Sequence, residues 1–173
     1  MTNATLSGNS VGPGGAYQRP CSGTAPSGDG SALAAGGGRT TVLYSTIAGN
    51  ADGIVAASGT VTLGGTIVAG STSGPNCTGT INETSGYNLD SGTSCGFSLP
   101  SDITGTEPSL GPLASNGGPT QTQALQPGSP AIDHGGTSAA GCPATDQRGQ
   151  GRPDEPGDGG ACDIGAYESQ GVS

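Results

Sequence analysis

The chain has 173 residues, of which 36 are glycine and 13 proline, and only 23 are Leu, Ile, Val or Phe. Thirteen Asp and Glu face four Arg and no Lys, a net charge of −9 that argues against nucleic acid and anionic membrane surfaces as partners and favours cations. No apolar run reaches the ~20 residues needed to cross a bilayer.

Such a composition is ordinarily that of a disordered chain. An internal repeat argues otherwise. Met1 is followed at once by Thr2-Asn3 and a repeat unit, Thr5-Leu6-Ser7-Gly8-Asn9, with no leader segment. We therefore expect a piece of a longer exported protein. The unit returns as Thr46-Ile47-Ala48-Gly49-Asn50, close to two periods further on. Between them, residues 12–30 form a loose Gly/Pro/Ser loop. Asp29-Gly30 with Ala34-Ala35 is echoed by Asp52-Gly53 with Ala56-Ala57, at a slightly longer step.

Residues 41–99 carry the clearest units. Short β-branched strands are expected at Thr41-Val42-Leu43, Thr46-Ile47, Ile54-Val55, Val61-Thr62-Leu63, Ile67-Val68 and Tyr87-Asn88-Leu89. Thr46-Ile47 and Leu43 recur one period on as Thr66-Ile67 and Leu63. Asn76-Cys77-Thr78-Gly79 and Asp90-Ser91-Gly92 read as turns. A period of about 20 residues with strands between glycine turns predicts an all-β right-handed parallel β-helix, a solenoid whose thin core needs one or two aliphatic residues per strand. No segment has helical periodicity. Residues 100–173 alternate Pro-rich turns with very short strands, as a cap would. We expect one continuous domain, with coils over 1–99 and, over 100–173, terminal coils and an irregular, acidic, disulfide-tied Gly/Pro-rich C-terminal cap.

Five cysteines without a CxxC metal spacing indicate disulfides and an oxidising compartment. Cys77 and Cys95 are about one period apart, and so are Cys142 and Cys162. Residues one period apart sit about 4.8 Å away on neighbouring coils, within reach of a bridge. These are the expected pairs. Cys21 is left unpaired.

Several motifs follow in order: Asn76-Cys77-Thr78-Gly79, Gly86-Tyr87-Asn88-Leu89-Asp90, Cys95-Gly96-Phe97, Leu110-Gly111-Pro112-Leu113 and Asn116-Gly117-Gly118-Pro119-Thr120. Then come Pro127-Gly128-Ser129-Pro130-Ala131-Ile132-Asp133, Asp146-Gln147-Arg148-Gly149 and Cys162-Asp163-Ile164-Gly165-Ala166-Tyr167-Glu168. Over most of residues 41–168 the chain resembles the C-terminal part of secreted bacterial right-handed parallel β-helix proteins related to polymorphic outer-membrane repeats. The resemblance implies a secreted or cell-surface address and, among relatives, adhesion, surface display or polysaccharide cleavage.

Seven of the 13 acidic residues fall between Asp133 and Glu168. Carboxylates in flexible turns suit calcium, and Asp146, Asp154, Asp158 and Asp163 are the candidate ligands; solvated acidic turns are the competing reading. Asp163 can instead pair with Arg148 or Arg152. Those arginines either tie the cap to Asp146 or Asp163 or hold an anionic sugar. His134 is the only histidine and follows Asp133; the two are the candidates for proton transfer, against a plain surface-loop histidine. Thr41, Thr60, Thr62, Thr66, Asn50 and Asn88 either ladder internally or bind sugars. Chemistry that needs a lysine or a paired-histidine zinc motif is excluded.

Two functions remain. One is an extracellular module for surface display, adhesion or carbohydrate recognition, calcium-stabilised and open to end-to-end self-association through its N-terminal coil. The other is a small calcium-dependent hydrolase or lyase acting on an acidic polysaccharide, or on a small ester or lactone such as an acyl-homoserine lactone.

Overall fold

The computed structural model describes residues 1–12, 31–153 and 160–171. Cys21 and Asp29-Gly30 lie outside the described residues. Those described are essentially all-β, with a single turn of 3-10 helix at Ser138–Ala140.

Three sheets form among the described residues. The first is parallel throughout, in the order β1 (Thr5–Ser7), β4 (Thr46–Ala48), β6 (Ile67–Ala69), β8 (Leu89–Asp90) and β9 (Ile103–Thr104). The second is also parallel. Here β2 (Ser31–Ala34), β3 (Arg39–Leu43) and β7 (Cys77–Glu83) all pair with the long β5 (Asp52–Gly64). The third is an antiparallel pair, β10 (Leu110–Ala114) with β11 (Thr122–Leu125).

The repeat is real, but its register differs from the sequence alignment by one position. Thr46 pairs with Ile67 and Ile47 with Val68, where the alignment set Thr46 against Thr66 and Ile47 against Ile67. Ser31 pairs with Asp52 and Leu33 with Ile54, a shorter step than the sequence echo implied. The step from β1 to β4 is a single one, Thr5 opposite Thr46, because the two strands are direct neighbours. What resembled two periods is one long connection. The matching Thr-Ile pairs misled because Ile67 and Val68 are both fully buried, so either residue reads as a core position.

They are buried on opposite sides. Ile47 and Val68 enter a core with Val42, Ile54, Val61 and Leu63, between the two parallel sheets. Ile67 and Leu89 point the other way, into a second cluster with Leu125, Ala131, Ile132 and Ile164. The C-terminal segment thus lies across the outer face of the five-stranded sheet. Each of these aliphatic side chains contributes about 1.5–3 kcal/mol by leaving water. Gly165 (φ 104°) marks the closest approach: its N–H donates to the Gly65 carbonyl at 2.9 Å, and a Cβ there would sit 2.8 Å from Thr46 Oγ1 and 2.9 Å from Ile67 Cδ1. Only glycine fits.

Asn76-Cys77-Thr78-Gly79 is not a turn: from Cys77 onward it is the start of β7. Gly79 is held so close over the Ala56 carbonyl that a Cβ would overlap it, and the β5–β7 register shifts just beyond, between Ala56 and Val61. The glycine serves a close backbone approach at a bulge. Likewise Asp90 lies within β8 rather than in a turn.

Both expected disulfides are present, Cys77–Cys95 with Cα atoms 4.7 Å apart and Cys142–Cys162 at 6.4 Å. The second ties loops around an antiparallel bridge, Thr137 opposite Ala161, rather than stacked coils. No helix of the described residues is long and apolar enough to cross a membrane.

Candidate functional site

The buried amides of the coil turns are committed to the fold. Asn50 accepts from Asn9 Nδ2 at 2.9 Å and donates to the Leu6 carbonyl at 3.0 Å; Asn88 accepts from the Thr66 N–H at 3.2 Å. Of the two readings given to these residues, Asn50 and Asn88 follow the internal ladder.

Two of the four carboxylates picked out as calcium ligands fall within described residues. Asp146 is buried and accepts from the N–H groups of Arg148 (2.7 Å), Gln150 (3.0 Å) and Glu168 (3.0 Å), and from Arg148 Nε at 2.8 Å. The Arg148 guanidinium also lies 3.7 Å over the Tyr167 ring. Asp163 is fully buried. Its Oδ2 accepts from both the N–H and the hydroxyl of Ser169, at 2.5 and 2.6 Å, and its Oδ1 from the Asp133 N–H at 2.8 Å. Burial pushes the Asp163 carboxyl above its ordinary range, against the pull of those donors. Between these two carboxylates runs a buried pair, Arg152 Nη1 to Glu168 Oε2 at 3.1 Å. Arg152 also donates to the carbonyls of Asp163 (2.9 Å) and Gly165 (2.7 Å), and desolvation lowers its pKa.

Arg148 therefore binds Asp146, as one reading had it, while the Asp163 carboxylate serves Ser169 and the Asp133 backbone instead of a guanidinium. Asp146 and Asp163 spend their oxygens on protein donors. Asp154 and Asp158 lie outside the described residues. Among the described residues no group of three or more His, Cys, Asp or Glu side chains is placed to hold a metal ion.

Asp133 sits beside that network, its charge adding to the upward push on the Asp163 carboxyl, and His134 follows it. They line a cavity of about 320 Å³ together with Tyr87, Pro100, Ser101, Asp102, Ile103, Gly136, Thr137 and Ala161. Two distant segments meet here: the turn before β8 with the loop leading into β9, and the covering chain at 133–137. Asp133 adopts φ 58°, so it is not in the extended conformation that would turn neighbouring side chains to opposite faces. His134 is exposed, and its Nδ1 is 2.6 Å from the Ile132 carbonyl. A carbonyl only accepts, so Nδ1 carries the hydrogen, and in the neutral ring Nε2 is the acceptor.

The far wall was not legible from sequence. Tyr87, also at positive φ (56°), is half-buried with its ring against Gly136, whose missing side chain makes room for it: a Cβ there would meet ring carbons at 2.9–3.1 Å. Asp102 is fixed by three amide donors, Asn88 N–H at 2.9 Å, Asn88 Nδ2 at 3.3 Å and Leu99 N–H at 2.9 Å. An aromatic ring, a short apolar floor from Pro100 and Ile103, two carboxylates, an imidazole and two hydroxyls thus converge on one space. The cavity can stack a ring or aliphatic face and hydrogen-bond its rim.

No family model, no curated protein and no solved structure matches this chain.

Proposed function

We propose that this chain is an extracellular, right-handed parallel β-helix module that recognises carbohydrate in the cleft between Tyr87 and His134. The observation that carries the reading is the cleft's lining: a ring fixed against Gly136 beside the amide-anchored Asp102, with hydroxyls of Ser101 and Thr137 at the rim. Sugars present an apolar C–H face and a hydroxyl edge, and both halves find partners there. Parallel pairing at a regular step supports the solenoid, and two disulfides support an oxidising, secreted location. Kinship to secreted bacterial β-helix proteins fits the same picture, and the terminal place of β1 in its sheet supports end-to-end association of copies.

One observation favours a second reading, hydrolysis of a glycoside, ester or lactone: Asp102, Asp133 and His134 line the same cleft, and in its neutral form the His134 ring supplies a general base.

The test is an oligosaccharide panel read by calorimetry, with pH-stat hydrolysis on the same ligands plus simple esters and lactones. Binding without turnover is expected, weakened about tenfold in Tyr87→Ala. Turnover that disappears in His134→Ala would establish the enzyme instead. Absence of both binding and turnover in the folded protein would sink both readings.

A further inference from the structure

The charge lining the cleft selects among carbohydrates. We propose that its ligand is an amino sugar carrying a free ammonium group, such as a glucosamine-containing glycan, rather than a uronate or a neutral sugar. The inference rests on the carbohydrate reading above and goes one step further.

Among the described lining residues, Asp102 and Asp133 are the carboxylates and none is Arg or Lys. Asp102 is held at the cleft wall by three amide donors of Asn88 and Leu99, so it acts on a ligand through its fixed position and charge rather than through a free oxygen. The described arginines are employed elsewhere. Arg148 and Arg152 sit in buried ion pairs with Asp146 and Glu168, and Arg39 opens β3 in the other parallel sheet. Glu83 lies beside Asp102, and its carboxyl is pushed toward the neutral form, first by burial and then by a hydrogen bond shared with Asp102. A uronate brought here meets like charges with no Arg or Lys among the described lining residues to offset them. An ammonium on a pyranose ring is attracted by those carboxylates while the ring's C–H face lies on Tyr87, which itself favours a nearby cation.

The experiment compares three oligomers of equal length on the native protein: glucosamine, N-acetylglucosamine and galacturonate. Binding is measured by calorimetry at low and at raised salt. The glucosamine oligomer should bind at least about tenfold tighter than its N-acetylated counterpart, with no binding of the uronate, and its affinity should fall as salt rises. Asp102→Asn should abolish that preference. Tyr87→Leu should weaken both amino-sugar oligomers alike, which separates a site from general attraction of a polycation to a protein of charge −9. The salt series on the unmodified protein keeps the test decisive even where a variant folds poorly. Equal binding of all three oligomers, or preference for the uronate, would overturn the ammonium and leave carbohydrate recognition standing. Binding of none would remove both.

Discussion

At Tyr44 a single hydroxyl joins the coils to the chain that covers them. Its O–H donates to the Gly135 carbonyl at 2.6 Å, next to the cleft, and the Arg152 guanidinium lies 5.4 Å from its ring centroid. Burial, only partly opposed by Arg152, raises the phenol from 10.0 to about 12. The folded state therefore holds this proton at a pH where the unfolded chain has lost it. Stability from this residue is complete below 10 and is lost as pH rises through about 12. Urea unfolding followed from neutral to strongly alkaline pH should show that decline, and Tyr44→Phe should remove the share belonging to this phenol. An identical alkaline slope in the variant would mean the hydroxyl is not held as described. The sequence marks Tyr44 only as a residue beside a strand. Its partner is 91 positions away, and no local pattern announces it.

The elements are held by ladders rather than by length. Strands of two to five residues dominate, too short to be stable alone, so each relies on side chains in the turns to fix its neighbour. Asn50 is the clearest case. At 1% exposure it accepts from both the backbone and the side chain of Asn9 and donates to Leu6, tying β1 to β4 across the long connection between them. Asn50→Ala leaves those groups without a partner in a buried place and should cost about 1–3 kcal/mol. The readout is a lower urea midpoint at unchanged slope. A loss within a few tenths of a kcal/mol would show that water replaces the amide and that the ladder is incidental. Strand existence was largely readable here from β-branched pairs between glycines. Exact register was not, because adjacent apolar residues such as Ile67 and Val68 both find a core, and β7 was hidden behind an Asn-Cys-Thr-Gly segment with turn chemistry.

On the scale of the whole molecule, the C-terminal chain covers the five-stranded sheet, and a buried set of charges fastens it. Asp146, Arg148, Arg152, Asp163 and Glu168 are linked through one another or through one another's backbone groups. Removing one partner strands the rest. Asp146→Ala should destabilise by about 3–5 kcal/mol, since Arg148 stays buried with its charge uncompensated. The same loss should appear with calcium and with chelator. Chelation that weakens the wild type as much as the substitution does would instead make Asp146 an ion ligand. The sequence by itself determined the all-β class, the repeat and both disulfide pairs, because periodicity and cysteine spacing are properties of neighbouring positions. Only the tertiary structure decided which face the C-terminal chain covers, that the Asp146 and Asp163 oxygens accept from protein donors, and that Tyr87 and Asp102 line the same cavity as Asp133 and His134. Those facts depend on desolvation and on contacts between segments far apart in the chain, and composition carries no record of which distant groups will share a dry space.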